Sequence, residues 1–196
     1  MAEAAQKLLS YEEYLALERR TGVKHEFLDG AVVAMSGGSG THATLIRNAI
    51  TQVVLGLGAG PCQFFTSDRR IRVEDTGLAT YPDVSVFCEP LRTHPEDPQA
   101  AVNPTLLIEV LSPSTEGWDR GDKFKHYSRI PELRDYVLVS QHEVLIERFS
   151  RNPDGTWTLR RLGPGAVLKA ADCALEIDVD ALYAGVELTE SPGPPG

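Results

Sequence analysis

The sequence is poor in the residues that mark secreted and membrane-spanning proteins. Its three cysteines, Cys62, Cys88 and Cys173, form no CxxC pair and no metal-ligand spacing. So sparse and odd a count fits a reducing cytosol better than a disulfide scaffold. No apolar run approaches the roughly 18 residues of a membrane helix, and the N-terminus MAEAAQKLLSYEEYLALERR lacks a signal peptide's apolar stretch. A cytoplasmic location with no membrane partner is expected. Basic residues are missing from one end: no lysine or arginine follows Lys169, whereas six acids do. That segment carries −6 of the net −9, which leaves −3 over residues 1–169. A polybasic, histone-like binder is excluded, although a local basic cleft is not. Also absent are GxxxxGK(S/T), HExxH, GxSxG and a glycine set between strand and helix. Nucleotide-loop, zinc-protease, serine-hydrolase and dinucleotide readings therefore lack support. Cys88 has no adjacent histidine, so a thiol nucleophile is poorly supported.

What remains has the length of one ordinary domain. The 196 residues divide into an expected domain at 1–189 and a tail, ESPGPPG (190–196), with nothing to bury and expected disorder. A domain of this size buries roughly 70% of its unfolded surface and needs no disulfide or structural metal to hold a core.

Ser10 followed by Glu13 is a capping box that opens a helix over YEEYLALERR, and Gly22 suits its stop. HEFLDGAVVAM reads as two strands about an Asp29–Gly30 turn. After GGSG, apolar residues from Ala43 to Leu57 recur at helical spacing. CQFFTS, RRIRVE, DVSVFC and TLLIEVL then read as short strands, WDRGDKFKHYSRI as one helix stopped near Pro131, and DYVLVS, VLIERFS and TWTLRRL as further strands. A short terminal helix is expected around Asp180–Ala184. The outline is α/β: a mixed central sheet of about six to eight strands, flanked by three or four helices.

Glu109 interrupts the almost wholly apolar TLLIEVL (105–111). An unpaired buried carboxylate costs several kcal/mol, so Glu109 needs a cation or a raised pKa. An internal salt bridge to an arginine would supply that, and so would a metal ion. Asp83 opens the apolar strand YPDVSVFC behind a proline; alone, such a start is commonly a cap or turn. Together, two acids on short apolar strands 26 residues apart can converge across neighbouring strands. Oxygen ligands of that kind suit Mg²⁺ or Mn²⁺.

Asp119, Lys123 and Tyr127 recur every fourth residue and share one helix face. Lys123 could bring an ammonium beside the acids, to orient a water or meet charge on a phosphoryl oxygen. An ordinary Asp–Lys surface pair is the plainer alternative. Glu26 in HEFLDG is either a third acid or a rim residue. His42, just after GGSGT begins a helix, either touches the cleft or a phosphate or is structural. Arg69, Arg70 and Arg72 are the densest basic cluster. Arg70 and Arg72 share a strand face and are candidates for phosphate-backbone contact, though a solvated strand explains them equally.

EFLDG, YPDVSVF, LLIEVLSPST and DRGDKFKHY, in that order, resemble the bacterial Uma-type family of restriction-endonuclease-like proteins, once catalogued as a domain of unknown function. The likeness runs over roughly residues 10–165. It implies the PD-(D/E)XK nuclease-like superfamily and a restriction-endonuclease-like mixed central β-sheet flanked by α-helices. By resemblance, Asp83 is the motif aspartate and Glu109 its acidic partner, both holding metal. Leu111 stands where the motif lysine belongs. Relatives supply that lysine from the following helix, a position Lys123 fits. The implied catalytic set is Glu26, Asp83, Glu109 and Lys123, with support from His42, Arg70, Arg72, Asp119 and Tyr127. The implied reaction is Mg²⁺- or Mn²⁺-dependent hydrolysis of phosphodiester bonds, with DNA as partner and a homodimer to cut both strands. The alternatives are a non-catalytic nucleic-acid- or partner-binding module on the same fold, or a phosphodiesterase for small nucleotides.

Overall fold

A computed structural model describes residues 8–35 and 37–189; the stretch 190–196, expected to be disordered, lies outside the described residues. Helix α1 (Tyr11–Thr21) forms as its capping box requires: the Ser10 side chain accepts from the Glu13 N–H, and Glu13 reaches back to the Ser10 N–H. Gly22, at φ 67°, closes it in the left-handed conformation. Strands β1 (His25–Leu28) and β2 (Ala31–Ala34) pair about Asp29 and Gly30, whose φ values of 49° and 85° are those of a primed hairpin turn. Helix α2 (Gly40–Leu57) follows, capped by Ser39.

The middle of the chain holds β3 (Gln63–Thr66), β4 (Arg70–Arg72), β5 (Ala79–Thr80), β6 (Val84–Phe87), β7 (Thr93–His94), β8 (Asp97–Ala101) and β9 (Leu106–Val110). After α3 (Glu116–Arg120) and α4 (Asp122–Tyr127) come β10 (Asp135–Val139), β11 (Ile146–Arg151), β12 (Trp157–Leu162), β13 (Val167–Ala170), β14 (Leu175–Asp178) and α5 (Val179–Leu182). The strands build more than the single sheet expected. One six-stranded sheet runs β2-β1-β5-β4-β8-β7, a second runs β12-β11-β10-β9-β6-β3, and β13-β14 form a separate ribbon. The difference comes from pieces as short as β5 and β7, which are too brief to show a period. The class is as expected, a mixed α/β fold of central sheets flanked by helices.

Strand β9 lies between parallel β10 and antiparallel β6, and it is buried on both faces. Leu106, Ile108 and Val110 pack with Leu45, Ala49 and Val53 of α2 and with Leu168, Leu175 and Ile177 of the ribbon. Leu107 and Leu111 belong to the other cluster, with Tyr127, Tyr136 and Leu138. Alternation puts Glu109 between those two leucines, beneath α4. The segment expected as one helix is broken at Gly121 into α3 and α4.

Two expectations are corrected. Arg70 is buried and binds Glu18 and Asp97, while its Nε donates to the Tyr81 hydroxyl at 3.0 Å. Arg72 stacks on the Tyr11 ring, 3.9 Å from its centroid, and donates to the Gly77 carbonyl. These arginines tie α1 to the first sheet, and neither is the freely solvated strand side chain or the phosphate-facing one expected. Cys62 and Cys88 are joined by a disulfide, with a Cα–Cα distance of 4.1 Å. They flank the paired residues Gln63 and Phe87 of β3 and β6, so register brings them opposite one another. Sequence spacing could not reveal that.

Two outcomes follow for stability. Burial raises the Asp97 pKa, but the Tyr11 hydrogen bond and the Arg70 charge outweigh it, and the carboxyl sits below its ordinary value. Its stabilising contribution is therefore complete above about pH 4 and drains away as pH falls through the depressed value. The urea midpoint should decline over that acid range, and Asp97→Asn should flatten the decline. Opening the Cys62–Cys88 loop, 26 residues in separation, should cost about 3.5 kcal/mol in urea denaturation with and without a dithiol.

Candidate active site

The acids singled out in the sequence meet at one place. Asp83 immediately precedes β6, whose Val84 pairs with Ile108, so the antiparallel register carries Asp83 to Glu109. The Asp83 N–H donates to Glu109 Oε2 at 3.3 Å, and the Val110 N–H donates to Asp83 Oδ2 at 2.8 Å. Lys123 reaches down from α4. Its Nζ lies 2.9 Å from Glu109 Oε1, 3.0 Å from Glu26 Oε1 and 3.0 Å from Asp119 Oδ1. Lys123, Glu109 and Asp119 are buried. The arrangement is neither a surface pair nor an arginine salt bridge; a lysine serves three carboxylates at once.

Surrounding groups complete the hydrogen bonding. Tyr127 donates to Glu109 Oε1 at 3.0 Å, and Thr80 donates to Glu26 Oε1 at 2.5 Å. Tyr136 donates to the Asp119 carbonyl at 3.0 Å. His42, in the first turn of α2, places Nε2 3.0 Å from the Val110 carbonyl oxygen and 3.6 Å from Asp83 Oδ2. Thr80 and Tyr136 carried no signal in the sequence. Nor did Gln141, which donates to the Leu111 carbonyl and accepts from Ser39 at 2.8 Å. Each depends on which strands become neighbours.

These groups border a cavity of about 460 Å³, lined by Glu26, His42, Asp83, Glu109, Asp119 and Lys123 among others. Tyr127 lies behind its wall, while Arg70 and Arg72 are outside it. Four acids face one lysine, so negative charge is in excess, and the electrostatics follow. Burial pushes Glu109 up to about 8, with the Lys123 ammonium only partly opposing it. Burial raises Asp83 too, against the pull of His42 and the Val110 N–H. Burial alone would lower Lys123, but Glu109, Tyr127, Glu26 and Asp119 together hold it well above the ordinary lysine value. The lysine stays charged, and the site has a demand for further positive charge.

Among the described residues, no three His, Cys, Asp or Glu side chains converge as a metal cluster. The carboxylates are drawn instead onto Lys123. Glu109, one of these, stays beside Asp83, which Lys123 does not bind, at the cavity. Two carboxylates with substrate and water are a usual complement for Mg²⁺, which keeps much of its shell outside the protein.

This geometry on this sheet belongs to the restriction-endonuclease-like α/β class, in the PD-(D/E)XK nuclease-like superfamily. Residues 11–181 match the family profile described as "Uma2: Putative restriction endonuclease". The chain belongs to that family. Two uncharacterized proteins of Synechocystis are similar to it. One is 40% identical over 178 residues, covering 91% of this chain and 93% of the relative. The other is 33% identical over 162 residues, covering 83% and 92%. The crystal structure of "a putative nuclease belonging to DUF820" from Anabaena variabilis shares the fold, with a TM-score of 0.73, 17% identity, and coverage of 90% of this chain and 98% of that one. No helix among the described residues is long and apolar enough to cross a membrane.

Removing the central cation should be costly. Lys123→Met leaves three carboxylates facing one another without a counter-charge and should cost about 3–5 kcal/mol in urea denaturation. Lys125→Met, at the exposed pair with Asp122, should leave the midpoint unchanged.

Proposed function

We propose that this protein is a nuclease that hydrolyses phosphodiester bonds, in DNA by preference, with Mg²⁺ or Mn²⁺ held by Asp83 and Glu109. The observation that carries the reading is the meeting of Asp83, Glu109 and Lys123 at one 460 Å³ cavity, although they come from the residue before β6, from β9 and from α4. Family membership points the same way. A bound divalent cation would supply Lewis acidity toward a phosphoryl oxygen. The chain's own groups do the rest. Lys123 keeps its proton and meets negative charge developing on the phosphoryl group, or orients the attacking water. Asp119 and Glu26 fix the ammonium from two sides. Tyr127 and the Asp83 N–H hold the Glu109 carboxylate in place. His42 steadies Asp83 and the Val110 carbonyl from the α2 side.

A second reading draws on the same contacts. In a non-catalytic binding module, Glu109 and Lys123 would form a purely structural ion pair, and their 2.9 Å separation accords with that too. One experiment separates the readings: cleavage of an end-labelled oligonucleotide with Mn²⁺ or Mg²⁺ against EDTA. Under the nuclease reading, wild type cuts only with metal, and Asp83→Ala and Glu109→Gln each lose about 100-fold or more with far-UV circular dichroism unchanged. Metal-independent cleavage, or full activity in both variants, overturns it. Absence of both cleavage and Mn²⁺ binding in wild type selects the module.

A further inference from the structure

The cavity has a wall for which the hydrolytic reading has no task. Val33, Ala34 and Met35, at the end of β2, line it beside the acids. Val33 is the cross-strand partner of Glu26, so both side chains stand on one face of the hairpin. It is 61% exposed, an apolar residue open to solvent on the edge strand of its sheet. Tyr81 and Pro113 extend the apolar lining.

The lining is equally distinctive in what it offers a phosphate. Lys123 is its one lysine or arginine among the described residues, and three carboxylates already hold it. Proteins that grip duplex DNA typically neutralise about six to ten phosphates with such cations. Several exposed cations elsewhere are matched as well. Lys24, Arg92, Lys125, Arg129, Arg161 and Lys169 each lie within 4.0 Å of an acid. The rim instead presents neutral donors, the hydroxyls of Ser39, Ser112, Ser114 and Thr115. Neutral donors serve one or two phosphates, not a polyanionic rod. A cavity of 460 Å³ is the size of a small-ligand site, which a single nucleotide can fill.

We propose that the cavity takes one unstacked nucleotide of a single-stranded nucleic acid, its phosphodiester toward Asp83 and Glu109 and its base against Val33 and Met35. This rests on the hydrolytic reading above and names its substrate class. Single strands are held through the faces of their bases, which duplexes keep stacked. Paired DNA would have to give up a base before reaching the acids.

Fluorescence anisotropy with a labelled oligonucleotide tests the inference, with Ca²⁺ in place of Mg²⁺ to suppress hydrolysis. The single strand should bind at least 10-fold tighter than the duplex of the same sequence. Its affinity should fall only gently with salt, with a log–log slope shallower than about −1.4, the value for two neutralised phosphates on a single strand. Val33→Asn should weaken single-strand binding about 5-fold. Val33→Trp, a wider platform at an exposed position, should strengthen it by a similar factor. Leu159→Asn, on the exposed edge of β12, should change nothing. Duplex binding as tight as single-strand binding, or both Val33 variants binding as wild type, overturns the inference. If Asp83-dependent cleavage persists in that case, the nuclease reading stands without it. Preferential single-strand binding with no cleavage under Mn²⁺ upholds the binding site and overturns the nuclease reading. Binding of neither form overturns the inference, and absence of metal-dependent cleavage as well overturns the nuclease reading with it.

Discussion

The structure turns on one buried ammonium. Lys123 Nζ is within 3.0 Å of carboxylates carried by three separate elements, β1, β9 and α3. Each of these charges loses its hydration on burial, and only complete assembly returns enough Coulombic and hydrogen-bond energy to compensate. A hairpin docked without α4, or a helix docked without the hairpin, leaves charge stranded. The cluster therefore fixes where the hairpin, the central strand and the α3–α4 segment sit. It also sets the site's electrical character: burial raises Glu109, the neighbouring Asp119 and Asp83 add to that rise, and Lys123 offsets it only in part.

The same device appears a second time, to a different end. Arg70 is buried between Glu18 and Asp97, with Tyr81 and Tyr11 completing the hydrogen bonds. It binds α1 to β4 and β8. Tyr81 stands two residues before Asp83, so this second network anchors the very segment that delivers the aspartate to the cavity. A guanidinium suits the task, since its fork can engage two carboxylates and a phenol in fixed directions. The ammonium of Lys123 is compact and makes no such planar demand, which suits the convergence of three carboxylates from different elements.

Local structure was legible wherever chemistry and period agreed. The capping box at Ser10 and Glu13, the Asp29–Gly30 turn and the apolar TLLIEVL each specify backbone geometry within a few residues. The acids were legible for a related reason: Glu109 and Asp83 interrupt apolar strands, and such interruptions call for a partner. What could not be read depends on register between distant strands. Cys62 finds Cys88 because Gln63 pairs with Phe87. Thr80 and Tyr136 reach the site through sheet neighbours that no spacing encodes. Arg70 and Arg72 misled because a short strand such as RIR gives no indication of which side is covered; α1 and the Asp97 strand cover it. In the acidic C-terminal segment the short helix around Asp180 was legible, as α5, but its packing was not: Leu175, Ile177 and Leu182 lie in one cluster with Leu45, Ala49 and Val53 of α2.

Leu111, where the superfamily pattern has its lysine, is an ordinary core residue here, and the cation comes from the helix that begins after the break in helical structure at Gly121. The site thus consists of two mechanical parts. Asp83 and Glu109 are set by the pairing of β6 with β9 in a sheet buried on both sides. Lys123 and Asp119 ride on two short helices outside that ladder, pinned by the buried Tyr127 and Tyr136. The spacing of the acids and the position of the cation are therefore separate properties of the sequence: register between β6 and β9 sets the first, and the packing of the α3–α4 segment sets the second.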